Sequence, residues 1–373
     1  MIKKLAIPYH KPSNTQIDKA GEILKKWDYK SVEFNQAVDL IGARRIGHMY
    51  PLNTFQATLR KKVRELWLTG KVIISQRLKR LDSIIKKIQR IPGMQLSSMQ
   101  DIGWLRIVVP KISDVYRLKE IYREGKFRHE LKKTNDYIMN PKVSWYRSVH
   151  LIYKYNNTKA LEYNWLFIEL QIRTKLQHAR ATAVEIVGAF SNQALKASDW
   201  DQEILHYFKL VSVLFSHKEN TRIPEEYAHH SIEDILNEII ILTEKLDIIS
   251  KLHAYRMAIQ YIGDHKYKKR KTCLISVSWN IIDTTFYEES EIDKANSDYI
   301  AKEKEALQNK SQVVLVSLAD IKQIQTAYPN YFADTEEFIN ELLDDTRLTD
   351  KFLILKLLFL RQTNKILSKN YQW

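Results

Sequence analysis

The chain has 373 residues, enough for two domains or three, each with a sizeable core. Hydrophobic residues make up 45% and charged residues 28%, which excludes a mostly disordered chain, collagen and a disulfide scaffold. The single cysteine, Cys273, excludes an intrachain disulfide and a thiolate-rich zinc site, and a reducing cytoplasm follows as the expected location.

The formal net charge of +15 is unevenly spread. Residues 1–200 hold 37 Lys and Arg against 17 Asp and Glu, while residues 201–373 hold 22 against 27. A basic half suited to phosphates or nucleic acid precedes a mildly acidic one. At the start, Lys3 and Lys4 are followed by Pro8, His10 and Lys11 before any apolar run, so no signal peptide is expected. The most apolar stretch, Phe352 to Leu360, is broken by Lys356. It falls far short of the ~20 residues a membrane span needs, and no membrane partner is expected.

Residues 13–90 read as mostly helical. From Ser75, the spacing of Leu78, Leu81, Ile84, Ile85 and Ile88 predicts one amphipathic helix ended by Pro92-Gly93. It would carry Arg77, Lys79 and Lys87 beside its apolar stripe, as phosphate ligands or as solvated charges. Strands are expected at Leu105 to Val109, at Val149 to Tyr155 and at Leu166 to Ile172, with helices over Ser113 to Glu124 and Lys175 to Ala194. That order implies a sheet covered by helices. Residues 199–262 read as helical, with a capping box at Ser231 in which Asp234 replaces the usual Glu or Gln. The charged run from Asp264 reads as a loop or hinge. Strands at 272–282 and 312–318 and helix from about 335 to 369 complete the chain.

Three constellations carry chemistry. Alternation in the third strand places Glu169, Gln171 and Arg173 opposite Ile168, Leu170 and Ile172. Such a polar row lines a cleft, where a carboxylate holds a divalent cation and Arg a phosphate, or else it faces solvent on an edge strand. Asp101 has opposite parity to Arg106, so the two share a site only if Asp101 stands at the strand entrance or a bulge intervenes; its other reading is a loop cap. The segment from Asp136 to His150 joins Lys142 and Arg147 for phosphate with Tyr146 to stack a base, and His150 to bond phosphate or ribose.

In order, these segments read Arg77-x-Lys79-xxx-Ser83-Ile84-xx-Lys87, Asp101-Ile-xxx-Arg106-Ile107, Tyr137-Ile-xx-Pro141-Lys142-xxx-Tyr146-Arg147-Ser148-x-His150, and Glu169-x-Gln171-Ile172-Arg173-Thr174-xx-Gln177-His178-Ala179. Over roughly residues 50–190 the pattern resembles the synthetase domain of the RelA/SpoT family. The resemblance implies an ATP-dependent pyrophosphokinase that moves the β,γ-pyrophosphate of ATP to a ribose 3′-hydroxyl with Mg²⁺. It implies that Arg77 and Arg106 sandwich the adenine, that Lys79 and Lys87, with Ser83, hold the ATP, and that Asp101 and Glu169 bind Mg²⁺ as catalytic residues with Glu185. Acceptor contacts fall to Lys142, Tyr146, Arg147, His150, Gln171 and Arg173. Trp104 and Trp145 replace usual glycines, and Arg180 replaces a usual Trp.

The whole arrangement is similar to CapRel-type fused toxin–antitoxins. That resemblance implies an α/β (α+β) fold. A mixed sheet with flanking helices forms a nucleotidyltransferase-like toxin domain over 1–195. A helical connector follows over 196–265, and an antitoxin and sensor domain over 266–373 resembles a zinc finger without zinc. It further implies transfer of pyrophosphate to the 3′-CCA end of tRNA, which blocks translation, inhibition by the chain's own C-terminal half, and release by a phage protein, the major capsid protein in the type case. Tyr328 and Tyr331, followed by Asp334, Glu336 and Glu337, are the expected autoinhibitory insert into the Arg77–Arg106 pocket; alternatively they are one ordinary helical turn. The alternative function is a small alarmone synthetase acting on free guanine or adenine nucleotides, with a regulatory C-terminal domain.

Overall fold

A computed structural model describes residues 11–26, 28–68, 72–125, 127–190, 202–246, 270–278, 281–309, 312–317 and 336–343. The chain divides into two units: residues 1–136 with 148–173, and residues 137–147 with 174–373.

The first unit opens with three helices, α1 (Asn14–Lys25), α2 (Val32–Ile46) and α3 (Met49–Glu65). Ser13 starts α1 through a reciprocal capping box with Gln16, and the Ser31 hydroxyl caps α2. The sheet strands follow: β1 (Ile73–Leu78), β2 (Gly103–Val109), β3 (Glu130–Asp136), β4 (Val149–Lys154) and β5 (Phe167–Thr174), with helices α4 (Leu81–Arg90) and α5 (Ile112–Glu124) between them. Their spatial order is β1-β2-β5-β4-β3 in a mixed sheet flanked by helices. β1 runs antiparallel to β2, and β4 antiparallel to both β3 and β5.

The expected helix beginning at Ser75 is corrected here. Ile73–Leu78 is an edge strand, and the helix starts only at Leu81. Sheet pairing with β2 overrides the three-and-four spacing, which continues by coincidence through the Lys79–Arg80 turn. Arg77 therefore sits on a strand and Lys79 in a turn, and only Lys87 of that trio is helical. Leu81, Ile84, Ile85 and Ile88 are buried as the stripe requires.

One sheet face is apolar. Leu105, Ile107, Leu151, Tyr153, Ile168, Leu170 and Ile172 are all buried, and each such side chain contributes roughly 1.5–3 kcal/mol on leaving water. Helices α3 and α5 meet this face: Phe55 packs edge-on to Tyr153, whose hydroxyl donates to the Tyr122 carbonyl at 2.6 Å. Gly103 is required by close approach, since a Cβ there would stand 2.9 Å from the Cβ of buried His48.

In the second unit, α6 (Lys175–Phe190), α7 (Gln202–Lys218) and α8 (Ile232–Lys245) pack together, and α8 begins with the Ser231–Asp234 capping box. The expectation of helix throughout 199–262 is corrected between α7 and α8, where Asn220 takes φ +50° and Pro224 begins a short 3₁₀ turn. β6 (Arg270–Ser278), β7 (Ile281–Glu288) and β8 (Gln312–Ser317) form an antiparallel sheet in the order β7-β6-β8. The single strand expected over 272–282 is thus two. Helix α9 (Ile292–Asn309) covers this sheet through Ala295 and Tyr299 against Leu274 and Tyr287. The helix Glu336–Leu343 seats Phe338 against Phe208 and Phe215 of α7, and Glu337 pairs with Lys175 of α6.

Candidate active site

The other face of the first sheet is polar, and strand register decides its membership. Directly opposed residues share a face. β1–β2 register sets Arg77 across from Trp104 and Ser75 across from Arg106, and β4–β5 register sets His150 across from Gln171 and Ile152 across from Glu169. Since β2 neighbours β5, four adjacent strands bring Arg77, Trp104, Arg106, Glu169, Gln171, Arg173 and His150 to one face. β5 is central and its three polar residues are buried, which overturns the solvent-facing edge-strand reading.

Buried polar groups need partners. Glu169 pairs with Nδ1 of His150. Arg106 donates through Nε and Nη2 to Oε1 of Gln171, each at 3.1 Å. The Cζ of Arg106 lies over the Trp104 ring, 4.5 Å from its centroid, and that of Arg77 lies 5.9 Å away. Arg173 is fully buried.

Asp101 stands two residues before β2, at the strand entrance, which removes the parity conflict with Arg106. Lys79 Nζ donates to its Oδ2 at 3.0 Å and Lys87 Nζ to its Oδ1 at 2.8 Å. The Lys79 backbone is fixed on both sides: its N–H donates to the Ile102 carbonyl at 2.7 Å, and its carbonyl accepts from Arg45 Nε at 2.9 Å. Ser83 lies partly buried in the first turn of α4.

The electrostatics favour two ionised carboxylates. Burial pushes the Asp101 carboxyl up, but Lys79 and Lys87 outweigh it and hold it below its ordinary value. Burial likewise raises Glu169, the charge and hydrogen bond of His150 lower it further than that, and the net direction is down. The Asp101 charge also pushes Glu169 up, so the two carboxylates lie within electrostatic reach of each other. Two ionised, hard oxygen donors fit Mg²⁺, which takes one or two carboxylates and completes its shell with water and phosphate oxygens. Among the described residues no group of three or more His, Cys, Asp or Glu assembles, so those further ligands would have to come from a nucleotide and water.

The second unit holds the aromatic loop. Tyr137 and Tyr146 meet at 6.2 Å, and Lys142 Nζ lies over both rings, 4.4 and 5.2 Å from their centroids. Trp145 adopts φ +57°, a conformation glycine enters freely and a bulky side chain does not. Its N–H bonds back to the Lys142 carbonyl at 2.7 Å, and its carbonyl accepts from Ser212 of α7 at 3.0 Å. Arg147 is buried. It donates to Ser216 of α7 and to the carbonyls of Ile138 and Arg222, so it holds the loop in place. Arg180 reaches from α6 to the Phe208 carbonyl at 3.1 Å and the Ser144 carbonyl at 2.6 Å. These two bonds tie α6 to α7 and to the loop.

Sequence reasoning missed Glu219. This half-buried carboxylate accepts from the Thr174 hydroxyl and from Gln177 Nε2 at 2.8 Å, while Thr174 and Gln177 cap each other at the start of α6. Burial drives its pKa above the ordinary value despite those bonds. Thr174-x-x-Gln177 is legible as a capping-box pattern, but nothing in the sequence brings Glu219, more than forty residues on, to it. The Glu185 side chain, Tyr328 and Tyr331 lie outside the described residues, as does Asp334.

Residues 76–189 match the family described as the region found in RelA/SpoT proteins. The chain is 35% identical over 109 residues to the GTP pyrophosphokinase YwaC of Bacillus subtilis, covering 26% of this chain and 49% of that one. It is 29% identical over 162 residues to the GTP pyrophosphokinase YjbM of the same organism, covering 42% and 71%. To the GTP pyrophosphokinase of Haemophilus influenzae it is 29% identical over 146 residues, 39% of this chain and 18% of that protein. The chain thus spans about half or less of the length of two of these relatives. Among solved structures, the small alarmone synthetase 1 of B. subtilis is similar with a TM-score of 0.40 and 24% identity, over 47% of this chain and 90% of that one.

Proposed function

We propose that the basic half is an ATP-dependent pyrophosphokinase that moves the β,γ-pyrophosphate of ATP to a ribose 3′-hydroxyl. The observation that carries the reading is the pair of ionised carboxylates, Asp101 and Glu169, within electrostatic reach of each other and backed by Lys79, Lys87 and His150. The matched RelA/SpoT region and the relatives named GTP pyrophosphokinase support it.

Transfer of this kind demands positioning and charge neutralisation rather than covalent help. Asp101 and Glu169 would hold Mg²⁺, which when bound neutralises charge on the phosphate oxygens. Lys79 and Lys87 leave Asp101 for the triphosphate, assisted by Ser83. Arg77 and Arg106 take the adenine. Glu169 or Asp101 orients or deprotonates the acceptor hydroxyl; Glu185 is proposed as a further catalytic carboxylate. Lys142, Tyr146, Arg147, His150, Gln171 and Arg173 carry the acceptor contacts.

Two acceptors remain in play, each with its own support. The terminal ribose of the tRNA 3′-CCA end suits the surplus of 20 positive charges over residues 1–200 and the Tyr137–Lys142–Tyr146 cluster. Free guanine nucleotides, as in a small alarmone synthetase, suit the names of the relatives; free adenine nucleotides are the variant of that reading. On the first reading the chain is a cytoplasmic anti-phage toxin of domains 1–195, 196–265 and 266–373. Its last domain inhibits through Tyr328 and Tyr331 and yields to a phage protein such as a major capsid protein.

The deciding experiment offers the protein ATP labelled in its terminal phosphates with bulk tRNA and free nucleotides together. Label at the tRNA 3′ end supports the toxin; label only on GDP or GTP supports the alarmone synthetase. Loss of all labelling in Glu169→Gln is expected under both, and full labelling in that variant would overturn the pyrophosphokinase reading.

A further inference from the structure

The polar face of the β1–β2 ribbon carries an indole where its neighbours are guanidiniums. Register seats Trp104 directly across from Arg77 and two residues from Arg106 on the same strand. The Arg106 guanidinium is occupied twice: its edge by Oε1 of Gln171, through Nε and Nη2, and a face by the Trp104 ring at 4.5 Å. So enclosed, Arg106 is only 5% exposed, with the indole standing where an incoming ring would have to meet its guanidinium. Arg77 also lies over the same indole, at 5.9 Å.

Guanidiniums stack on flat aromatic surfaces whatever their origin. Indole is a fused bicycle close in size and flatness to a purine, and nucleobases use the same kind of contact. Two residues beyond Arg77 the chain presents Lys79, which with Lys87 is held on Asp101. A planar ring on the arginines and a polyphosphate on the lysines would therefore belong to one ligand, a purine nucleoside triphosphate.

We infer that Trp104 is a built-in occupant of the purine-stacking position and that the donor nucleotide binds by displacing it. The ligand class rests on the donor reading given above; the displacement rests on the Trp104 geometry. The indole sets a threshold: a ligand enters only if its phosphate contacts outweigh the indole–guanidinium contact it breaks. Bare nucleosides are excluded, and donor affinity is lowered relative to a site whose arginine face is open.

The test titrates the full chain, Trp104→Leu and Trp104→Phe with α,β-methylene-ATP and, separately, with inorganic tripolyphosphate, both with Mg²⁺. Trp104→Leu should bind the nucleotide analogue about three- to thirtyfold more tightly, the range a lost cation–π contact spans. Trp104→Phe should fall between it and the native chain, and tripolyphosphate should bind all three alike. Equal or weaker analogue binding by Trp104→Leu overturns displacement and makes the indole a bystander or a wall of the site. If tripolyphosphate binding reveals that Trp104→Leu has not folded, Trp104→Phe decides by the same criterion. Binding of tripolyphosphate without any binding of the analogue, in native and variant chains, overturns the purine-donor reading itself.

Discussion

Asp101 does two jobs that exclude each other. It is the anion on which Lys79 and Lys87 rest, and it is half of the carboxylate pair proposed to hold the metal. A triphosphate drawing the lysines away would free Asp101 for a cation at the moment the cation arrives, so metal and nucleotide should bind cooperatively. Asp101→Asn separates the two jobs. Without Mg²⁺ the variant should bind an ATP analogue about three- to tenfold more tightly than the native chain. The lysines are no longer engaged by an ion pair worth about 1 kcal/mol. With Mg²⁺ the native chain should gain affinity and the variant should gain little. Calorimetric titrations with and without chelator read both, and weaker binding by the variant in chelator would show that the lysines do not meet the phosphates.

At the scale of elements, the loop 137–147 is held by long buried arginines in addition to its own Trp145–Lys142 turn. Arg180 ties the Ser144 carbonyl to α7. Arg180→Met keeps much of the volume and removes both bonds, each contributing roughly 0.5–1.5 kcal/mol net. Stability should fall, and the KM for the acceptor should rise while that for ATP stays the same. A rise in both would mean that the arginine merely supports the fold. The same scale shows what sequence could yield. β5 was legible because Ile168, Leu170 and Ile172 alternate cleanly with polar residues that have to be paired. β1 was not, because Leu78, Leu81 and Ile84 sustain a helical spacing across a turn that only the pairing with β2 reveals. β3 reads as a polar stretch, Glu-Leu-Lys-Lys-Thr-Asn-Asp, and exists through its register with β4. Of the proposed site, the charged residues announced themselves by type and spacing. The roles of Trp104, Arg180 and Glu219 depend on neighbours distant in sequence, or on a strand register that spacing alone leaves open. No helix among the described residues is long and apolar enough to cross a membrane.

For the whole molecule, two buried histidines set the response to acid. Burial pulls His48 down to about 3, with its Nδ1 bonded to the Arg44 carbonyl, and pulls His129, stacked between Phe55 and Tyr155, down to about 4. Unfolded, each would titrate near 6.5. The unfolded chain thus takes up protons the folded chain refuses, so stability is full above pH 6.5 and is lost as pH falls toward 4 and 3. Glu219 acts in the opposite sense, since its raised pKa makes its burial less costly as it protonates. Asp101 and Glu169, held low, give up stability from the ordinary carboxylate range downward. Between pH 7 and 5 the histidines dominate, costing about 2 kcal/mol each. Urea unfolding should show the midpoint dropping over that interval with net proton uptake; an unchanged midpoint would mean that the two rings are solvated.

The chain's route carries a consequence for its synthesis. Arg147 emerges from the ribosome 69 residues ahead of Ser216 and still further ahead of Arg222, the partners that fix it. At translation speeds of ~5–20 residues per second, the loop waits roughly 4–14 s for its anchor. A nascent or prematurely terminated fragment that stops short of α7 already contains every strand of the first sheet and the Ile138 carbonyl, yet lacks the Ser216 and Arg222 acceptors of Arg147. The final setting of this loop is thereby deferred until well after the last strand of the first sheet has been made.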